Sequence, residues 1–204
     1  MSNAIASPGA HADERLLQPR AKATRGKILA ESAKVFDKLG YSASINDLVS
    51  GNSLSKGALF YHFPSKEAIA QKLVEDWAEV VAAAFGNAAA LALPASAQLW
   101  RVFSSLAEQV EQSLPLRAGM SLSLETAVGG ATAAYRKWVA STDALIATAI
   151  ASGDVQNNER ARRLAWTLCA GFTIAVLLDG VDGEDVPFTV RIDDLLTVHL
   201  PCTD

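Results

Sequence analysis

Residues 54–67 read LSKGALFYHFPSKE and combine lysines, aromatic rings and a histidine within one short segment. Lys56 and Lys66 supply ammonium groups, which bind phosphate oxygens or donate to the O6 and N7 atoms of guanine. Tyr61 and His62 lie between them and can donate to phosphate from a hydroxyl and an imidazole. Each residue alone would more often be a packed or solvated side chain, so the prediction depends on their order. The combination indicates contact with a polyanion such as DNA.

The charge of the chain is unevenly distributed along its 204 residues. Up to Lys66 there are nine Lys or Arg residues against five Asp or Glu, whereas the remainder has nine against seventeen. These balances of +4 and −8 give the formal net charge of −4. A basic N-terminal third followed by an acidic remainder predicts that only the first part meets a polyanion, although a solvated basic face without a partner would have the same charge.

Composition argues against several classes of protein. Half of the residues are apolar, which predicts a globular protein with a substantial core. Cys169 and Cys202 lack the paired spacing of a zinc site or a disulfide framework, so we predict a reducing cytoplasmic setting, no metal and no cofactor. The histidines, His11, His62 and His199, do not cluster, and the short motifs of serine hydrolases, P-loop proteins and zinc proteases are missing. We therefore predict that the protein is not an enzyme.

The apolar segments indicate neither an N-terminal signal peptide nor a membrane-spanning helix. The longest apolar run, Ala165 to Leu178, is shorter than the roughly 18 to 20 residues that cross a bilayer, so we interpret it as a buried helix. The opening segment, MSNAIASPGAHADE, is polar and unlike a signal peptide. We expect it to belong to a disordered arm.

Apolar periodicity predicts three helices in the basic part of the chain. The first spans 24–39, with Thr24 as its N-cap. Ser44 caps a short second helix, and a turn at 51–53 leads to a third helix over 55–61. Two short helices joined by such a turn form a helix-turn-helix, in which the second helix enters the major groove of DNA.

The third helix begins with side chains that suit close approach to DNA. Lys56 is long enough to reach a base edge, and the small residues Gly57 and Ala58 keep the backbone close to the groove. Lys66, in the first turn of the next helix, is predicted to contact phosphate.

The rest of the chain is also predicted to be helical, because no apolar alternation of period two is sustained. The predicted helices span 65–85, 96–112, 116–127, 131–152, 159–178 and 187–200. We predict a disordered arm at 1–21, a helix-turn-helix domain at 22–66 and a second helical domain at 67–204.

The segment RGKILAESAKVFDKLGYSASINDLVSGNSLSKGALFYHFPSKEAI, from Arg25 to Ile69, resembles the DNA-binding domain of the TetR family of bacterial transcriptional regulators. The resemblance includes the first helical stripe, the Gly-Tyr joint and the aromatic-His-Phe ending that precedes a lysine. It implies that nine positions contact DNA: Ser44, Asn46, Lys56, Gly57, Ala58, Phe60, Tyr61, His62 and Lys66.

Two features depart from the family pattern. Asn52 and Ser53 stand where an Ala-Gly pair is usual, and Phe60 stands where tyrosine is common, with Tyr61 after it. These departures concern the operator sequence that is read and not DNA binding itself.

The segments LRAGMSLSLETAVGG and AAYRKWVASTDALIATAIASGDV resemble the γ-butyrolactone receptors, a TetR branch that controls antibiotic production and differentiation in actinomycetes. The resemblance implies an all-α fold with a three-helix DNA-binding domain and a larger domain for ligand binding and dimerisation. It also implies a homodimer through the last two helices and a pocket lined by Trp138. Other candidates for an apolar pocket are Trp100, Phe103, Leu106, Val110, Met120, Leu124 and Phe172, although such residues more often pack in a core.

The predicted function is that of a repressor which binds a pseudo-palindromic operator as a dimer and is released by a small diffusible γ-butyrolactone, butenolide or furan. Antibiotic or secondary-metabolite genes are the expected targets. One alternative is a TetR-type regulator of an efflux or catabolic gene that responds to another apolar ligand. Another is a DNA-binding regulator without an inducer, which a well-filled core around Trp138 would favour.

Overall fold

The computed structural model describes residues 9–50, 55–179 and 186–200, with side chains from residue 19 onward. These residues form helices and turns, which confirms the predicted all-α class. The α-helices are α1 (Gly9–Leu39), α2 (Ile45–Ser50), α3 (Lys56–His62), α4 (Lys66–Ala89), α5 (Ala95–Gln112), α6 (Leu114–Leu122), α7 (Ala131–Ser152), α8 (Leu164–Leu178) and α9 (Phe188–His199). The turn at 51–53, with Asn52 and Ser53, lies outside the described residues.

Helix α1 is longer than predicted. It begins at Gly9, so residues 9–21, which we expected in a disordered arm, are helical. Thr24 does not cap the helix, because its hydroxyl donates to the carbonyl oxygen of Arg20 within α1, over 3.0 Å. The residues before Thr24 include alanine, leucine, lysine, arginine and glutamate, which favour helix strongly enough to continue it past Pro19.

Serine side chains cap three helices, including the predicted cap at Ser44. Ser44 and Asp47 cap α2 reciprocally: the Ser44 backbone N–H donates to the Asp47 carboxylate over 2.7 Å, and the Asp47 N–H donates to the Ser44 hydroxyl over 3.2 Å. Ser55 accepts from the N–H of Ala58, and Ser65 accepts from the N–H of Ala68, each over 3.1 Å. These caps fix where α2, α3 and α4 begin.

The three helices that are predicted to bind DNA share their core with the rest of the chain. This core, which we call the head core, contains residues of α1 to α3, the first half of α4 and the helix α6. Its fully buried members include Ile28, Leu48, Leu59, Ile69, Leu73 and Ala118. A boundary at residue 66 therefore divides the sequence but passes through one continuous core.

Helix α8 contributes one face to a second core. Leu164, Leu168, Phe172 and Val176 recur at intervals of four residues and are buried against α7 and α9. The segment 161–178 is long and apolar enough to cross a membrane by length and composition alone. In this fold its inner face packs in the core, as the sequence analysis predicted.

Helices α4 and α6 approach each other at a glycine. A Cβ atom added to Gly119 would lie 2.9 Å from the carbonyl carbon of Leu73 and 3.2 Å from the Cβ atom of Trp77, and it would overlap the Leu73 carbonyl oxygen. Only glycine fits between the two backbones here, so α4 and α6 are in direct backbone contact at this point.

We predict that Gly119→Ala lowers the free energy of unfolding by about 1–3 kcal/mol or more, because the added methyl group overpacks a rigid contact. Chemical denaturation measures this change. Gly86→Ala on α4 is the matched control, since a Cβ atom there meets nothing within 4 Å. The control should raise stability by roughly 0.5–1 kcal/mol, as for any unstrained helical glycine. Equal effects of the two substitutions would contradict the close approach.

Candidate functional site

Helix α3 separates a buried face from an exposed one. Leu59 and Phe63 belong to the head core and are buried, whereas Phe60 is 42% exposed and Tyr61 is 84% exposed. Lys56 is also exposed, one helical turn before Phe60. An aromatic ring as exposed as that of Tyr61 is unusual in a core helix, so this face has the composition of a binding surface.

The other residues implied to contact DNA lie on or next to this face. Gly57 is exposed and Ala58 is half-buried in the first turn of α3. Asn46 is exposed on α2. The ring of His62 is half-buried and meets the ring of Tyr61 edge-on, with centroids 5.0 Å apart.

Ser44 is exposed, and its hydroxyl is already engaged at the start of α2. The hydroxyl donates to the Asp47 carboxylate over 2.7 Å. This bond, followed by the one from the Ser44 backbone N–H, lowers the pKa of Asp47. A carboxylate whose pKa is lowered in the folded state stabilises the cap above its unfolded pKa, and the stabilisation is lost as pH falls through the folded pKa.

An arginine that the sequence analysis did not single out fixes the C-terminal end of α3. Arg25 on α1 donates to the carbonyl oxygen of His62 over 3.0 Å, and its guanidinium carbon lies 4.1 Å from the centroid of the Phe63 ring. The bond satisfies a carbonyl at the helix end, where no intrahelical donor is available. Periodicity does not distinguish Arg25 from the other basic residues of α1, so this contact is visible only in the structure.

Lys66 has internal contacts that the sequence analysis did not predict. Its ammonium group donates to the carbonyl oxygens of Tyr41 and Ala43, over 2.6 Å and 3.0 Å, and lies 4.0 Å from the centroid of the Tyr41 ring. These contacts turn the ammonium group inward and hold the turn between α1 and α2. Two of the three ammonium donors therefore have internal acceptors, and the phosphate contact of Lys66 stays a prediction.

The second core contains a cluster of aromatic rings centred on Trp138, which we call the aromatic core. Trp138 is 1% exposed. The centroid of its ring lies 5.5 Å from that of Trp77, 5.4 Å from that of Phe172, and 5.9 Å from those of Phe103 and Tyr135. These are the separations of packed, mostly edge-on rings.

Three indole N–H groups in this region have no acceptor within the described part of the chain. They belong to Trp77, Trp100 and Trp138. A buried donor without an acceptor costs about 1–3 kcal/mol, and native proteins rarely leave several of them together. The side chains of the aromatic core are therefore largely apolar, but their unused indole N–H groups can donate to a molecule that carries oxygen acceptors.

Most of the remaining ligand candidates surround this core. Leu106, Val110 and Met120 are buried in it, and the half-buried Trp100 packs against its edge. Leu124 does not belong to the set, because α6 ends at Leu122 and the Leu124 side chain is 41% exposed. It lines a surface pocket with residues of α1 and α8, so its assignment to a ligand site beside Trp138 was wrong.

A surface pocket of about 400 Å³ adjoins the aromatic core between α7 and α8. Tyr135, Val139 and Trp166 are among its lining residues. The half-buried ring of Tyr135 lies between this pocket and Trp138, which it meets edge-on. Tyr135 therefore connects this pocket with the indole of Trp138.

Cys169 lies in the same core and does not have the surroundings of a catalytic thiol. Its sulfur is buried 3.5 Å from the hydroxyl oxygen of Thr142. Burial raises the pKa of the Cys169 thiol to about 12, so the thiolate form is scarce at neutral pH.

Comparisons with known proteins agree with the geometry of the head. Residues 28–73 match the family described as "Bacterial regulatory proteins, tetR family". Over these residues the chain is therefore similar to the N-terminal domain of the TetR family. The matched residues run from the buried Ile28 of α1 to Leu73 of α4 and so include the whole exposed face of α3.

One curated relative of this chain is the A-factor receptor protein of Streptomyces griseus. It is 28% identical over 185 residues, which make up 90% of this chain and 65% of that protein. Among solved structures, the TetR family protein CprB from S. coelicolor A3(2) has a TM-score of 0.75 at 24% identity and covers 90% of this chain and 92% of its own. A γ-butyrolactone receptor described as ArpA-like has a TM-score of 0.69 at 22% identity, with coverages of 88% and 99%. The relatives are transcriptional regulators, and the structural likeness supports the same fold.

We predict that Lys66→Met lowers the free energy of unfolding by about 1–3 kcal/mol, because it leaves two carbonyl groups without their charged donor. Thermal unfolding measures the loss, and Lys38→Met, at an exposed position on α1, is the control for removing a positive charge. The salt dependence of DNA binding by the Lys66 variant tests the predicted phosphate contact. A slope of log K against log salt that falls by about one would support this contact, and an unchanged slope would exclude it.

Replacing Lys56 should affect sequence reading. We expect Lys56→Ala to weaken binding to the preferred DNA duplex by about 1–3 kcal/mol and to relax the preference at one base pair, if Lys56 donates to guanine. Selection of duplexes from a random library by the wild-type protein and the variant measures both effects. An unchanged preference at every position would exclude base reading by Lys56.

Proposed function

We propose that this protein is a ligand-responsive repressor of the γ-butyrolactone receptor type. It binds a pseudo-palindromic operator as a homodimer and leaves the operator when a small γ-butyrolactone, butenolide or furan enters the aromatic core. The observation that carries the DNA-binding part is the exposed Lys56, Phe60 and Tyr61 face on a capped helix within the segment that matches the TetR family. The similarity to the A-factor receptor protein supports the ligand class.

Operator binding by a dimer follows from the geometry of helix-turn-helix proteins. Each protomer presents one α3, and a two-fold dimer places two such helices in major grooves that face the same side of the duplex, roughly 34–36 Å apart or a multiple of this. Tyr61 is the most exposed aromatic side chain of the face, and its ring can contact the sugar-phosphate backbone at the groove edge.

An exposed apolar stripe supports dimerisation through α8 and α9. Trp166, Ile174 and Leu178 on α8 are 67%, 52% and 51% exposed, and they are spaced at eight and four residues along one side of the helix. Val190 and Val198 of α9 are 45% and 68% exposed. Apolar side chains at this exposure are typical of a surface that a second copy covers, and a two-fold axis would bring α8 against α8.

The aromatic core supports binding of a small amphipathic molecule. A lactone or furan with an acyl tail carries carbonyl and ring oxygens that accept from the indole N–H groups of Trp77 and Trp138. The tail would lie among Leu106, Val110 and Met120, which are apolar and fully or almost fully buried. The molecule must displace some of the packed rings, and the pocket beside Tyr135 is the proposed route.

Release of DNA requires that the ligand prefer a conformation that does not fit the operator. Trp77 and the first turn of α4 belong to one helix, about 16 Å apart at 1.5 Å per residue. Displacement of Trp77 would therefore be transmitted along α4 to the head core. We expect the protein to act in the cytoplasm, on the nucleoid, and to control antibiotic or secondary-metabolite genes.

One observation favours a second candidate function. The rings around Trp138 are in mutual contact, and such a well-filled core is also typical of a regulator that has no inducer. A third possibility is a regulator of an efflux or catabolic gene, whose ligand would be apolar but unrelated to lactones. The response to ligand distinguishes these functions from the proposed one.

The test uses a duplex that the wild-type protein selects from a random library, with a synthetic 2-acyl-γ-butyrolactone as the probe. We expect the lactone to release the wild-type protein. Trp138→Phe should bind the duplex within about twofold of wild type but require roughly ten times more lactone, because it lacks one indole donor. Fluorescence anisotropy of the labelled duplex measures both quantities.

Tyr135→Phe is the matched control, because it keeps a ring against Trp138 and removes a different polar group. It should respond to the lactone more like wild type than Trp138→Phe does. If wild-type protein binds the duplex but no lactone, butenolide or furan releases it, the receptor function is wrong and the function without such an inducer stands. Failure to select any duplex would overturn the proposed function as a whole.

A further inference from the structure

Arg117 on α6 connects two distant parts of the chain through its guanidinium group. Its Nε donates to the Oδ1 atom of Asp37 on α1 over 3.1 Å. Its NH1 group pairs with the Oδ2 atom of Asp179, which directly follows α8. We call this arrangement of Asp37, Arg117 and Asp179 the Arg117 bridge.

The Arg117 bridge is partly shielded from solvent. The three side chains are 23%, 27% and 30% exposed for Arg117, Asp37 and Asp179. The planar guanidinium has donors that point in several directions, which allows one arginine to hold two carboxylates, whereas a lysine acts as a point charge. A shielded network of this kind fixes relative positions better than an isolated surface pair does.

The two carboxylates belong to elements with different tasks in the proposed function. Asp37 lies on α1, the helix that holds the end of α3 through Arg25. Asp179 lies at the end of α8, whose exposed stripe is the proposed dimer surface. One side chain therefore joins the DNA-reading head to the helix that would set the position of the partner subunit.

The helix that carries Arg117 also contacts the aromatic core. Gly119 packs directly on the Leu73 and Trp77 region of α4, with no room for a side chain. Met120 is buried in the aromatic core. A ligand that displaces Trp77 or Met120 would therefore move α6, and Arg117 lies only two residues before Gly119.

We propose that Arg117 is a positioning residue, and that the Arg117 bridge holds the head in the orientation that binds the operator until ligand entry moves α6 away from Asp37. This inference rests on the proposed function and adds the contact through which the ligand acts. It makes α6, and not α4 alone, the connection between the aromatic core and α3.

The first experiment measures operator affinity with the full-length chain and the library-selected duplex. We expect Arg117→Gln and Asp37→Asn each to bind about tenfold more weakly than wild type, within the range of measured couplings between sites. Arg101→Gln, an exposed arginine on α5, controls for the loss of charge and should bind like wild type. Thermal unfolding confirms that each variant is folded.

A double-mutant cycle separates positioning from a general structural effect. If Asp37 acts through Arg117, Asp37→Asn should cause no further loss of affinity in the Arg117→Gln background. Arg117→Lys should lose less than Arg117→Gln, because it keeps a charge for one of the two carboxylates. Additive losses, or no loss in Arg117→Gln, would overturn the inference.

The second experiment measures head orientation without DNA. A spin label at Ala23→Cys on α1, in a Cys202→Ser background, reports the distance between the two heads of a dimer. The buried Cys169 thiol, whose pKa is raised to about 12, should stay unlabelled. We expect Arg117→Gln to broaden the distance distribution and the lactone to produce a similar change in the wild-type protein.

The two experiments fail in distinguishable ways. If the wild-type protein selects no duplex, the proposed function is wrong, and the distance distribution still decides whether the Arg117 bridge fixes the heads. If the wild-type protein binds DNA and responds to the lactone while Arg117→Gln matches it in affinity and in distance distribution, the inference is wrong and the proposed function stands.

Discussion

The head core is completed by helices that lie outside the DNA-binding segment, and this constraint determines how the rest of the molecule can work. Leu59 of α3 is buried together with Leu73 of α4 and Leu122 of α6, so the helices of the DNA-binding segment do not enclose this core by themselves. Helices α4 and α6 also carry Trp77 and Met120 into the aromatic core. In the proposed function, a change there that shifts α4 or α6 would act on the core in which Leu59 of α3 is packed.

The basic residues of the head divide into two groups that a count of charges does not distinguish. Arg25 and Lys66 each donate to the backbone and lie over an aromatic ring. Arg25 does so at the end of α3, and Lys66 does so at the turn between α1 and α2. Lys56 is exposed on α3 and remains available for a ligand. The positive charge of the N-terminal third thus serves both to hold the head together and to attract DNA.

Local signals predicted the fold well, and tertiary contacts account for the errors. Ser44 caps α2 as expected, because capping needs only neighbouring residues. Thr24 was misassigned because the helix continues through it, which depends on propensities summed over many residues. Leu124 was misassigned, because residues of α1 and α8 surround it and periodicity does not specify those contacts. The internal contacts of Lys66 were missed for the same reason, since their acceptors lie in the turn between α1 and α2.

The unused indole donors limit how far a ligand could shift the equilibrium between a conformation that binds the operator and one that does not. Moving a two-state equilibrium from 1:99 to 99:1 requires about 5.5 kcal/mol of preference for one state. Satisfying one buried donor contributes about 1–3 kcal/mol. Trp77 and Trp138 together therefore reach roughly 2–6 kcal/mol, provided that the ligand contacts them in only one of the two states. A full switch on these contacts alone thus needs both indoles, and a ligand that meets only one needs a further difference in packing.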